Sequence, residues 1–184
     1  MRTRSWRVLV AAVAGFALVG AGTTTAQAAT HSSFENGDTR VVVAPEVYKL
    51  VAGAGIKPSA IKPATAGPAG STLAARFPIS SINVSKLQIS HTGGIKLAAG
   101  KAKISLRNFK IDVNKLRVYG KVSGSKANAK SALLFTLESS DRTKYGPLKL
   151  VLTKTSAGAL NATFGVDAFA KGATFGYAKV RPKG

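Results

Sequence analysis

Between Ile104 and Val122 apolar and polar residues alternate with a two-residue period, and no other feature of this 184-residue chain constrains its fold so tightly. Ile104 and Leu106 alternate with Lys103, Ser105 and Arg107, while Phe109, Ile111 and Val113 alternate with Lys110 and Asp112. Leu116, Val118 and Val122 then alternate with Lys115, Arg117, Tyr119 and Lys121. Successive side chains of a strand point to opposite faces, so this spacing buries one face and solvates the other. At Asn108-Phe109 the phase slips by one residue, which is how a β-bulge reads in sequence. The pattern predicts Ile104, Leu106, Ile111, Val113, Leu116 and Val118 in the core.

Shorter runs repeat the theme. Phe77 and Ile79, Ile82 and Val84, Leu87 and Ile89, and Ile95 and Leu97 alternate, with turn signals at Gly93-Gly94, Ala99-Gly100, Val113-Asn114 and Gly124. Leu133–Leu137 and Leu148–Leu152 read as two more strands. Val41-Val42-Val43 is a β-branched run, followed by Pro45 and by Val47, Leu50 and Val51 at helical spacing before Gly53 and Gly55. Thr153 is placed to cap a second helix reaching Leu160 and Ala162. Residues 57–70, with Pro58, Pro63 and Pro68, read as an irregular surface connection. These two strand–helix–glycine units are expected to cap the two ends of one sheet. The predicted class is mainly β, an antiparallel sandwich or partly closed sheet with one or two short helices.

The amino terminus carries an address. Arg2, Arg4 and Arg7, an uncharged run from Val8 to Val19, and Ala26-Gln27-Ala28 make a secretory signal peptide. The run is too short to cross a bilayer, which takes about 20 apolar residues. The expected division is a signal over 1–28, a flexible arm over 29–39, and one β-rich domain over 40–181. Its product is expected to be secreted, extracellular or cell-wall associated, with no integral membrane anchor. With no cysteine, the fold has no disulfide and offers no thiolate to zinc or an iron–sulfur cluster.

Catalytic patterns are thin. Neither a G-x-S-x-G elbow nor an H-E-x-x-H pair occurs. The mature chain has only seven carboxylates, Glu35 and Asp38 falling in the expected arm and Asp112 lying among Lys110, Lys115 and Arg117. The chain reads as a non-enzyme with no metal site. His91, before Thr92-Gly93-Gly94, and Tyr48 remain candidates for holding a cofactor, since tyrosine can ligate ferric haem. His31, in the arm, reads as solvated.

Charge supplies the positional signal. Removing residues 1–28 takes three arginines from 27 basic residues, leaving 24 against 7 acidic and a net charge of +17. Eleven basic residues and one acid, Asp112, lie between Lys86 and Lys130. Lys103, Arg107, Lys115, Arg117 and Lys121 form the expected anion-binding stripe, with Tyr119 among them. The partner this implies is an anionic cell-envelope polymer or polysaccharide, with nucleic acid bound only non-specifically. The expected function is non-catalytic binding through this basic face.

Three segments carry a family resemblance: His91-Thr92-Gly93-Gly94-Ile95, Leu106-x-Asn108-Phe109-x-Ile111-Asp112, and the tail from Leu152-Thr153 through Ala159-Leu160-Asn161 and Phe164-Gly165 to Gly172. Across residues 77–180 the chain resembles secreted bacterial cell-envelope domains of the HtaA type. That resemblance implies haem capture at the cell surface as the alternative function. In that family a tyrosine of an amino-terminal aromatic segment binds haem. The aromatic segment has no counterpart here, and Tyr48 is the single tyrosine in the amino-terminal half of the mature chain.

Overall fold

The computed structural model describes residues 36–183, so the signal peptide, most of the arm and His31 lie outside the described residues. In chain order the elements are β1 (Gly37–Val43), α1 (Pro45–Gly53), β2 (Lys57–Ile61), β3 (Thr65–Ala69), β4 (Thr72–Asn83), β5 (Gln88–His91) and β6 (Gly94–Ala99). There follow β7 (Ala102–Asp112), β8 (Arg117–Gly124), β9 (Asn128–Ser139), β10 (Leu148–Leu152), α2 (Lys154–Phe164) and β11 (Thr174–Pro182). The order β7-β5-β4-β1-β11-β10-β9-β8 returns to β7 through a further β7–β8 pairing. The expected sandwich or partly closed sheet is therefore an eight-stranded antiparallel barrel. Closure satisfies the edges that an open sheet of this width would leave unpaired.

One side of the wall is forked. β5 pairs with the carboxyl halves of β4 and β7, whereas β3 pairs with the amino half of β4 and β6 with the amino half of β7. β2 adds to β6. The proline-rich segment 57–70 thus forms two short strands rather than an irregular connection. Pro58 and Pro68 lie in short strands off the closed ring, where a missing ladder donor is tolerated, and Pro63 lies in the turn between them.

The alternation expected from Ile104 onward is obeyed at Ile104, Leu106, Phe109, Ile111, Val118 and Val122, all buried. The phase slip is a real bulge: Arg107 pairs with Lys121 and Lys110 with Tyr119, so β7 spends three steps on two of β8. Asn108 takes up the extra residue at φ 51°. Val113 and Leu116 are a correction, because they are 42% and 49% exposed. They belong to the turn between β7 and β8, where the two-residue period no longer applies. A second correction concerns the arm: β1 begins at Gly37, and Asp38 and Thr39 are buried in it. Asp38 accepts from Nε of Arg76 at 3.2 Å and Nε of Arg181 at 3.0 Å, one arginine from each flanking strand.

Both expected helices form. Pro45 stands in the first turn of α1. Thr153 caps α2 by accepting from the Ser156 N–H at 3.2 Å, Ser156 Oγ accepts from the Thr153 N–H at 3.0 Å, and Gly165 ends the helix at φ 65°. Their placement differs from expectation. β1 and β10 are both antiparallel to β11 and so run in the same direction. The helices that follow them leave at the same end of the barrel, not at opposite ends.

The other end is closed by two hairpin turns of one plan. Asn83-Val84-Ser85-Lys86-Leu87 joins β4 to β5, and Asp112-Val113-Asn114-Lys115-Leu116 joins β7 to β8. In each, the first side chain accepts from the main-chain N–H of the lysine three residues on, at 2.9 and 3.0 Å. In each, the final leucine is left-handed, at φ 48° and 51°.

Candidate functional site

Alternation turns Thr39, Val41, Leu73, Ala75, Phe77 and Phe109 toward the barrel interior, where they line a cavity of about 80 Å³ closed on one side by Tyr48 and Val51 of α1. Phe77 and Phe109 meet edge-on at 5.0 Å and 77°. An eight-stranded barrel is just wide enough to be filled by side chains or to hold one small ligand. Thr39, Tyr48 and His91 are the lining residues that carry polar groups, and the surface they turn to the cavity is apolar.

His91 ends β5 where the wall forks. Its Nε2 lies 2.7 Å from the Thr39 hydroxyl and its Nδ1 lies 3.1 Å from the Phe109 carbonyl. A carbonyl only accepts, so Nδ1 carries the proton and Nε2 accepts from Thr39. Burial holds the imidazole pKa below its ordinary value of 6.5, outweighing the opposing bond to Phe109 and the charge of Asp38. His91 is thus a neutral clasp between β1, β5 and the β7 bulge, with both ring nitrogens engaged. Tyr48 is half-buried, and its hydroxyl makes no hydrogen bond among the described residues. The structure therefore brings both cofactor candidates to the lining of one cavity, and of the two only the Tyr48 phenol has no hydrogen-bond partner. Thr39, which lies in the expected arm, is the partner that sequence alone does not reveal.

A second concavity, of about 430 Å³, crosses the outer wall from β4 to β9. It follows a line of bulges. Ser80 is the extra residue of β4 against β5, Asn108 that of β7 against β8, and Lys130-Ser131 holds the extra residue of β9 against β8. Lys110, Lys121 and Lys130 line it with Tyr119, and no carboxylate is among its lining. The Lys110 ammonium stands 5.9 Å from the Tyr119 ring centre. Gly120 permits the dent, since a Cβ there would stand 2.7 Å from the Leu134 side chain and 3.2 Å from that of Phe109.

The five residues of the expected stripe are dispersed. Lys121 lines the groove and Arg107 pairs opposite it. Arg117 pairs opposite Asp112, Lys115 stands in the turn 4.0 Å from the same carboxylate, and Lys103 lies near the far end of β7. Lys110 and Lys130 join Lys121 instead. Bulge positions decide which lysines share a concavity, and strand alternation alone does not supply them.

No protein-family model matches the chain, and no curated protein matches it in sequence. Two solved structures share its fold. The C-terminal domain of HtaA from Corynebacterium glutamicum superposes with a TM-score of 0.56 at 12% identity, covering 80% of this chain and 96% of that domain. The haem-binding protein HtaB from the same organism superposes with a TM-score of 0.55 at 10% identity, covering 81% of this chain and 96% of its own. The HtaA-type resemblance is thus shown at the level of the fold. No helix among the described residues is long and apolar enough to cross a membrane.

Proposed function

We propose that this chain is a non-catalytic binding protein whose ligand is a flat, largely apolar molecule of the haem class, taken at the α1-covered mouth of the barrel. The observation that carries this reading is the interior itself: wholly apolar walls, bordered on the α1 side by Tyr48, whose hydroxyl has no hydrogen-bond partner. A phenolate is a ferric-iron ligand, and an apolar wall suits the faces of a macrocycle. The donor set therefore fits. His91 fits as a support for the wall rather than as a ligand, because Thr39 and Phe109 hold both its nitrogens. The fold shared with a haem-binding protein favours the same ligand class.

Size adds a condition. Cavities that enclose drug-sized ligands measure about 300–1,000 Å³, well above the 80 Å³ present. Binding thus proceeds with outward displacement of α1, whose first turn lacks a side-chain cap and is tied to the 140–147 loop by the exposed Glu46–Arg142 pair at 3.1 Å. Thermal unfolding tests the reading. A ligand at 100 times its Kd stabilises the native state by about 2.7 kcal/mol. Hemin is expected to raise the midpoint more than the same macrocycle without iron, since only the former engages the phenol. An unchanged midpoint with both would refute the proposal.

A second reading rests on the outer groove. Three lysines from three strands and no lining acid favour an anionic glycan segment, with Tyr119 against a sugar face. Nucleic acid is less favoured, because a lone tyrosine gives no run of stacking platforms.

A further inference from the structure

The five large hydrophobic side chains that are exposed among the described residues all lie in or beside the twin turns: Ile82, Val84, Leu87, Val113 and Leu116. Val84 is 77% exposed. Hydrophobic residues scattered singly over a surface need no explanation, but confinement to one tip does. The two turns are one unit, since the Val113 N–H donates to the Leu87 carbonyl at 2.9 Å. Leu87 and Leu116 add a second observation. Both sit in the left-handed region, where Gly or Asn is at ease and a bulky side chain is strained. A tip selected only to turn the chain would carry Asn or Gly there and a polar residue at Val84. Instead, both turns repeat Val, Lys and Leu at matching positions.

Charge identifies the occupant. Lys86, Lys115 and Arg117 surround the apolar tip, while the carboxylate of Asp112 is buried and engaged by the Lys115 N–H. Two copies meeting tip to tip would bring like charges together. A convex aliphatic tip with a cationic collar matches instead an anionic bilayer, which offers phosphates at headgroup level and hydrocarbon just beneath. We propose that the paired turns at 83–87 and 112–116 dock the barrel on an anionic lipid surface, with Val84, Leu87, Val113 and Leu116 entering the headgroup–acyl boundary. The helix-bearing mouth then faces away from the bilayer. This proposal does not depend on what the barrel binds.

Vesicle flotation tests it. The protein is expected to float with vesicles of phosphatidylglycerol and phosphatidylcholine, less so as salt rises, and weakly with phosphatidylcholine alone. The variant Val84→Ser/Leu87→Asn/Val113→Ser/Leu116→Asn is expected to partition at least tenfold less. Its unfolding midpoint should hold or rise, because Asn tolerates the left-handed conformation. Lys86→Gln/Lys115→Gln should lose the preference for anionic vesicles. The proposal is overturned if the parent stays with neither vesicle at low salt, or if the fourfold variant floats as well as the parent. It is equally overturned if sedimentation shows a parent dimer that the variant abolishes.

Discussion

At the residue scale the most telling position is His91, a buried imidazole held neutral between a hydroxyl and a carbonyl. Its folded-state pKa lies below the ordinary value of 6.5 because burial penalises the cation. As pH falls through that value the unfolded chain takes up a proton that the folded chain refuses. Stability is therefore whole above this window and is lost on acidification, until the folded pKa is reached. The slope from one such group reaches at most about 1.4 kcal/mol per pH unit. Chemical denaturation of the parent and His91→Gln between pH 8 and 5 is expected to show a shallower slope for the variant below pH 6.5. Identical slopes would show that His91 titrates alike in both states. Residues of this kind are only half legible in sequence. His91 stands out beside Gly93-Gly94, but Thr39, 52 positions away, is joined to it by strand pairing alone.

At the element scale, the alternation of β7 and β8 is readable because each strand has one wet and one dry face. The same rule misplaces Val113 and Leu116, since a turn interrupts the period and returns the chain in new phase. Ile104→Ala, deep in β7, is expected to cost about 2–5 kcal/mol by transfer and cavity terms. Leu116→Ala, half-exposed and in a left-handed turn, is expected to cost less than about 0.5 kcal/mol. Comparable losses in the two, measured by urea denaturation, would contradict the assignment of Leu116 to the turn. The helices are legible for a different reason. Pro45, Thr153 and Gly165 act on their own neighbours, so their signals survive without tertiary context. Which end of the barrel the helices occupy depends on the directions of β1 and β10, and local signals do not carry that.

For the whole molecule, closure decides what kind of interior there is. An open sandwich would give a packed core and a basic outer face. A ring of eight strands encloses an apolar interior, places Tyr48 and His91 on it, and disperses Lys103, Arg107, Lys115, Arg117 and Lys121 over a curved wall. Strand count and alternation say nothing of whether the first and last strands meet. Here the closing contact is β7 with β8, a simple hairpin, while the ring is completed by the long-range pairs β1–β4 and β1–β11. The proposal of a haem-class ligand thus rests on topology more than on any motif. Titration of hemin into the protein, followed at the Soret band, is the decisive test of that ligand. Saturation at one equivalent is expected, with a spectrum of phenolate-ligated ferric haem that is lost in Tyr48→Phe. An unsaturable absorbance change that Tyr48→Phe leaves untouched would contradict it.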